Sequence, residues 1–192
     1  MNPIDPARTA VLLMDFQPSV LAAYSADDVL ANATVLRESA RAAGALVGYV
    51  HVWLTPDEAA AIPASNVMFS ALAERMAGVD PAAGEVHPRL GVGEEEPVFR
   101  KTRVGAFSTT DLHERLQERG IDTLVLAGVA TSGVVLSTVR AGADHDYRLV
   151  VVADACADLD DEVHRVLTEK VFPRQAEVVT TADAVAAFGA SA

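Results

Sequence analysis

The stretch GIDTLVLAGVATSGVVLSTVRAG, residues 120–142, decides the fold. Gly120 closes a helical pattern, residues 122–128 form an apolar run, and helical spacing resumes from Thr131. A compact run that is apolar throughout, rather than at alternate positions, reads as a strand buried on both faces. Such strands belong to parallel sheets covered by helices. A strand that passes into a helix within a few residues is the repeating unit of that architecture.

Outward from this unit the pattern repeats. AVLLMD at 10–15, ALVGYVHVW at 45–53 and YRLVVVADA at 147–155 read as further buried strands, as does AEVVTT at 176–181. Between them, residues 27–43 follow Ser25, whose hydroxyl is expected to cap the helix with Asp28 completing a capping box, and Gly44 ends it. TDLHERLQERG at 110–120 puts Leu112 and Leu116 on one face. Residues 161–172 align Val163, Val166, Leu167 and Val171, with Pro173 expected to stop the helix. Alternation with short loops implies right-handed crossovers and helices on both faces. The expected fold is α/β: a single domain over 1–192, a three-layer α/β/α sandwich with a doubly wound, mainly parallel, Rossmann-like sheet. The Pro-rich stretch 55–96 breaks the rhythm around a short helix near 66–77 and is expected to cover a site.

Composition narrows the function. The 192 residues are 51% hydrophobic and 22% charged, which suits one folded core burying roughly 70% of the extended chain's surface. A net charge of −12 leaves no basic surplus for phosphates, so neither nucleic acid nor an anionic membrane is an expected partner; a small-molecule substrate is. One cysteine, Cys156, rules out an internal disulfide framework or a multi-thiolate metal site. No run approaches 18 apolar residues and the N-terminus lacks a leader pattern, so the expected location is cytoplasmic. The glycine signatures of nicotinamide, P-loop and nucleophile-elbow enzymes are missing after every strand.

In open α/β sheets ligands bind beyond the carboxyl ends of the strands. That singles out Asp15, His51, Trp53, the 128–134 turn and Asp154. Asp15, flanked by apolar residues, is expected to have a raised pKa suited to proton exchange near neutrality. Lys101 can pair with it across the strand ends. The turn offers free N–H groups to an anion or a developing oxyanion. Phe16, Trp53 and Phe107 would wall a planar substrate or pack the core, and Gln17 could hydrogen-bond a substrate.

The segments MDFQ (14–17), KTRVGAFSTTDL (101–112), GIDTLVLAGVAT (120–131) and VFPRQA (171–176) together resemble the isochorismatase-like hydrolase superfamily over nearly the whole chain. That family's cysteine hydrolases use an Asp, a Lys and a Cys, and Asp15 and Lys101 match the first two. The nucleophile position, six residues after the turn glycine Gly128, is occupied here by Val134. The resemblance also implies a cis peptide at Val129–Ala130 and homo-oligomers, dimeric or larger. Members with an Asp-x-His metal group are matched only by His51, so no metal and no cofactor is expected.

True isochorismatases lack the cysteine as well, and the resemblance to them implies that an Asp protonates a vinyl ether. The leading expectation is a hydrolase acting without a cysteine nucleophile, with a vinyl ether such as isochorismate as the candidate substrate. Asp15 would be the general acid/base beside Lys101, and the N–H groups of Ala130 and Val134 would hold a substrate oxygen. The alternatives are a noncatalytic binding or assembly protein with a degenerate site, and an amidase with an atypical nucleophile.

Overall fold

The computed structural model describes residues 3–189; the ends of the expected 1–192 domain lie outside them. In chain order the elements are β1 (Thr9–Met14), α1 (Pro18–Leu21), α2 (Asp27–Ala43), β2 (Leu46–Val52), α3 (Pro56–Ala60), α4 (Val67–Met76) and β3 (Val98–Lys101). Then follow α5 (Leu112–Glu118), β4 (Thr123–Val129), α6 (Leu136–Asp144), β5 (Arg148–Ala157), α7 (Asp161–Val166), β6 (Glu177–Val179) and α8 (Thr181–Gly189). The strands form one sheet in the order β3-β2-β1-β4-β5-β6. All five pairings are parallel.

Strand alternation sorts the core into two layers. Val11, Leu13, Val47, Tyr49, Val125 and Val150 face α2 and α8, against Leu30, Leu36, Ala184 and Phe188. Ala10, Leu12, Met14, Val50, Leu124 and Leu126 face the other way, against Leu112, Leu116, Val139, Leu167 and Phe172. Both faces are therefore covered, which is why the strands read as continuous apolar runs. Strand order reverses between β1 and β4, and in doubly wound sheets the crevice outside that switch is the ligand site.

Three local expectations change. Ser25 does not cap α2: the N-cap is Ala26, with no side-chain cap, and Asp27 and Asp28 meet the positive end of the helix dipole instead. Gly44 ends α2 as expected, at φ 80°. Pro173 does not end its helix but sits inside a 3₁₀ turn, Phe172–Arg174, that continues α7 through a wide turn at Leu167–Val171. Proline is tolerated there because the first turn of a helix needs no N–H. The third concerns 131–142, which is not one short helix: Thr131–Val135 forms a separate turn, broken at Gly133, before α6.

The 55–96 stretch holds α3, α4 and two 3₁₀ turns, Pro81–Gly84 and Pro88–Leu90. His87 N–H donates to the Phe16 carbonyl, 2.7 Å away, and fastens this stretch beside the end of β1. Among the described residues no helix is long and apolar enough to cross a membrane.

At the switch the two central strands press together. A Cβ on Gly128 would lie 2.6 Å from the Met14 carbonyl oxygen and 2.9 Å from its Cβ. Backbone cannot yield as a flexible side chain does, so Gly128→Ala is expected to force β1 and β4 apart and cost about 1–3 kcal/mol. Urea denaturation measures this, and unchanged stability would show that the junction has slack.

Candidate active site

Asp15 follows β1 with φ 59°, in the left-handed region that Asp tolerates better than most residues. Its N–H donates to the Val50 carbonyl at 2.8 Å and its carbonyl accepts from Gln17 N–H at 2.8 Å, which fixes the sharp turn at the sheet edge. Lys101, at the end of β3, reaches across β2 to meet it, with Nζ 2.8 Å from Asp15 Oδ2. Both side chains are buried, at 2% and 9% exposure. Nζ also donates to the Arg103 carbonyl at 3.2 Å. Asp15 Oδ1 is buried with no hydrogen-bond partner among the described residues.

Burial pushes the Asp15 carboxyl pKa above its usual 3.8, and the opposing pull of Lys101, with a smaller one from His51, does not cancel this. A carboxyl in such surroundings is easier to protonate than one in water, which suits an acid that must give a proton away and take it back.

The turn after β4 lies on the opposite side of β1 from β2. Its Val129–Ala130 peptide is cis. The Ala130 carbonyl accepts from Gly133 N–H at 3.1 Å and Val135 N–H at 3.3 Å. Two residues from beyond β5 fasten it further. Thr131 Oγ1, fully buried, lies 2.8 Å from His164 Nδ1. Ser132 N–H donates to Asp158 Oδ2 at 2.7 Å. Val134 is 2% exposed, and its aliphatic side chain packs into the core layer beneath α6.

The remaining expected site residues separate. Gln17 is committed: Nε2 donates to the carbonyls of Val52, 2.9 Å, and Gly84, 2.7 Å, while Oε1 accepts from Val52 N–H. Its amide is a structural strap, with no free hydrogen-bonding group for a substrate except by breaking it. Phe16 is buried in the α2-side core. Trp53 lies flat against Gly84, where a Cβ would come within 2.1 Å of its ring. Phe107 goes elsewhere, into a cluster with His113, His145 and Tyr147, the residue that precedes β5. The chain before Phe107 packs against α6: a Cβ on Gly105 would lie 3.3 Å from Ser137 Cβ, and Ala106 N–H donates to Thr138 Oγ1. The expected aromatic wall does not form.

His51 Nδ1 is 2.8 Å from the Gly84 carbonyl, which can only accept, so Nδ1 carries the proton. Among the described residues no three His, Cys, Asp or Glu side chains gather into a metal-holding group. Asp154 lies where β5 bulges outward and binds structure: its carboxylate accepts from Thr181 N–H and Oγ1, and its carbonyl from Asn32. Cys156 sits in register with Gly128, and burial pushes its thiol up to about 12, far from a reactive thiolate.

Alongside the turn is a cavity of about 380 Å³, lined by residues that include Tyr24, Cys156, Asp158 and His164 but neither Asp15 nor Lys101. Tyr24 and His164 had no signal in the sequence. The contact of His164 with Thr131 spans 33 residues.

A doubly wound parallel sheet with a buried carboxylate–lysine pair at its switch point defines the class. Residues 9–183 match the isochorismatase domain, and the chain belongs to that family. The isochorismatase-family protein YwoC of Bacillus subtilis is 31% identical over 179 residues, 93% of each chain. An isochorismatase family protein of Burkholderia thailandensis superposes with a TM-score of 0.83 at 30% identity, covering 97% of this chain and 98% of that one. A cysteine hydrolase of Pseudomonas syringae gives 0.90 at 25% identity, covering 100% and 97%.

Because the Asp15 carboxyl is raised from 3.8 in the folded chain, folding takes up a proton above that pH. The stabilising contribution is complete below about 3.8 and is lost as pH rises through the folded value. Asp15→Asn cannot titrate, so the stability of the wild type relative to that variant should decline from about pH 4 towards neutrality. A constant difference in urea titrations would contradict a raised carboxyl. At pH 8 Cys156 should resist iodoacetamide until denaturant is added; rapid labelling of the native protein would contradict its burial.

Proposed function

We propose that the chain is a small-molecule hydrolase that works without a cysteine nucleophile, with Asp15 as general acid/base and Lys101 as its partner. The observation that carries this is the buried pair itself, whose Lys101 Nζ holds Oδ2 at 2.8 Å while Oδ1 has no hydrogen-bond partner among the described residues. An enzyme acid needs such a division: one oxygen fixed for orientation, the other left for the substrate.

On a vinyl ether such as isochorismate, the protonated Asp15 gives its proton to the terminal vinyl carbon, and the carbon–carbon π pair forms the new C–H bond. The resulting oxocarbenium ion is attacked by water. The water's proton returns to the Asp15 carboxylate, and the hemiketal breaks into a ketone and an alcohol. Lys101 stabilises the carboxylate in the interval when it is charged. The N–H groups of Ala130 and Val134 are assigned to a substrate oxygen.

An acyl-enzyme route has less support. Val134 has no nucleophilic atom, and the thiol of Cys156 is buried and raised to about 12. A noncatalytic binding protein is the second reading, favoured by one observation: the cavity of about 380 Å³ does not include the Asp15–Lys101 pair. We take the working unit to be a cytoplasmic homo-oligomer, dimeric or larger, which light scattering tests for mass.

Turnover of isochorismate, small amides and small esters should be compared in wild type, Asp15→Asn and Lys101→Ala. Asp15→Asn is expected to lose about 10²–10⁴-fold in kcat, the usual worth of a general acid. Lys101→Ala should also be impaired, and mass spectrometry during turnover should find no acyl adduct. Activity unchanged by both substitutions would remove the mechanism, and an adduct would restore a covalent one.

A further inference from the structure

The cavity beside the turn, about 380 Å³, falls in the size range of small-molecule sites. Its wall is divided by chemistry. Leu159, 68% exposed, stands at its rim among small apolar neighbours, while Tyr24, Asp158, Asp161 and His164 bring polar groups to it. No Lys or Arg lines it.

These polar groups differ in what they have free. Asp158 spends both oxygens on backbone N–H groups, those of Ser132 and Leu159, and so is fixed in place as part of the turn. His164 spends Nδ1 on Thr131. Its Nε2 and the Tyr24 hydroxyl have no hydrogen-bond partner among the described residues. Tyr24 also connects this wall to the acid: its phenol is raised first by burial and then by the fields of Asp158 and Asp15, with Arg75 opposing. The register places cavity and acid at one sheet edge: Cys156 in the cavity wall pairs with Gly128, which pairs with Met14, the residue before Asp15.

We propose that this cavity is the subsite for the non-reacting end of the substrate, and that it takes a small ring or chain bearing an amine or hydroxyl group while disfavouring a carboxylate, which favours a vinyl ether without the ring carboxylate of isochorismate. A carboxylate placed there would face Asp158 and Asp161 with no cation in the wall. An amine or alcohol can donate to those acceptors, and Tyr24 and His164 Nε2 supply the remaining hydrogen bonds. Because Asp158 and His164 also hold the turn, the group in the cavity touches the same side chains that set the geometry of the 130–134 backbone. Naming the occupant as part of the substrate rests on Asp15 being the acid; binding to the cavity does not.

The test uses three probes with one ring and different charge: benzylamine, benzyl alcohol and benzoate. Calorimetry on the full chain should show the amine and the alcohol binding at least about tenfold more tightly than benzoate, and the two should inhibit turnover competitively. Leu159→Lys, a change at an exposed rim position that leaves the packing alone, should bring benzoate up and benzylamine down by about tenfold each. Tyr24→Phe should weaken the alcohol. Benzoate binding as tightly as the others, or none of the three binding, would overturn the selectivity. Binding without competition would overturn the subsite assignment. If turnover itself is missing, the probe titrations still read the cavity, so failure of the catalytic proposal and failure of this one give different results.

Discussion

The arrangement turns on a carboxylate and an ammonium held 2.8 Å apart out of water. Removing either ion from solvent costs several kcal/mol, and the attraction between them offsets this only when the geometry is fixed. Three strands must therefore be set in order and register for Lys101 to reach over β2 to Asp15. The left-handed turn at Asp15, the Gln17 strap and the 3₁₀ turn ending at Gly84 all serve that placement. An ion pair so expensive to bury adds little to stability; its effect is to fix one carboxyl at one point on the sheet edge.

Much of the architecture was legible because burial on both faces leaves a direct mark on a strand. The run in β4 is apolar at almost every position, as a strand covered on both faces requires, and the helical patterns on either side of it point to a parallel sheet. Asp15 and Lys101 were legible for a related reason, as ionisable residues at the carboxyl ends of such strands. Ser25 failed as a cap because Asp27 and Asp28 meet the same electrostatic need from inside the helix. Phe107 failed as a site residue because its position depends on how the chain returns along α6, a tertiary path with no local periodicity. His164 and Tyr24 were invisible for the same reason: each matters through contacts made across the fold.

The two ends of the β4–β5 junction show how a sheet edge is partitioned. Where β5 bulges, Asp154 turns outward and docks α8 and α2. Where pairing resumes, Cys156 turns inward beside Gly128 and is sealed. The Asp154 carboxylate that the strand-end position singled out is structural, and the Cys156 thiol is buried. Asp158, a few residues on, instead joins the cavity to the turn.

Lys101 comes from β3, a four-residue strand at the sheet margin that pairs only with β2. Edge strands open at lower free energy than the centre of a sheet. Asp15 thus follows a central strand paired on both sides, and Lys101 ends a strand paired on one. Fraying of this margin would leave Asp15 in place while withdrawing the ammonium that steadies it, so the pair can part by local opening of β3 without global unfolding.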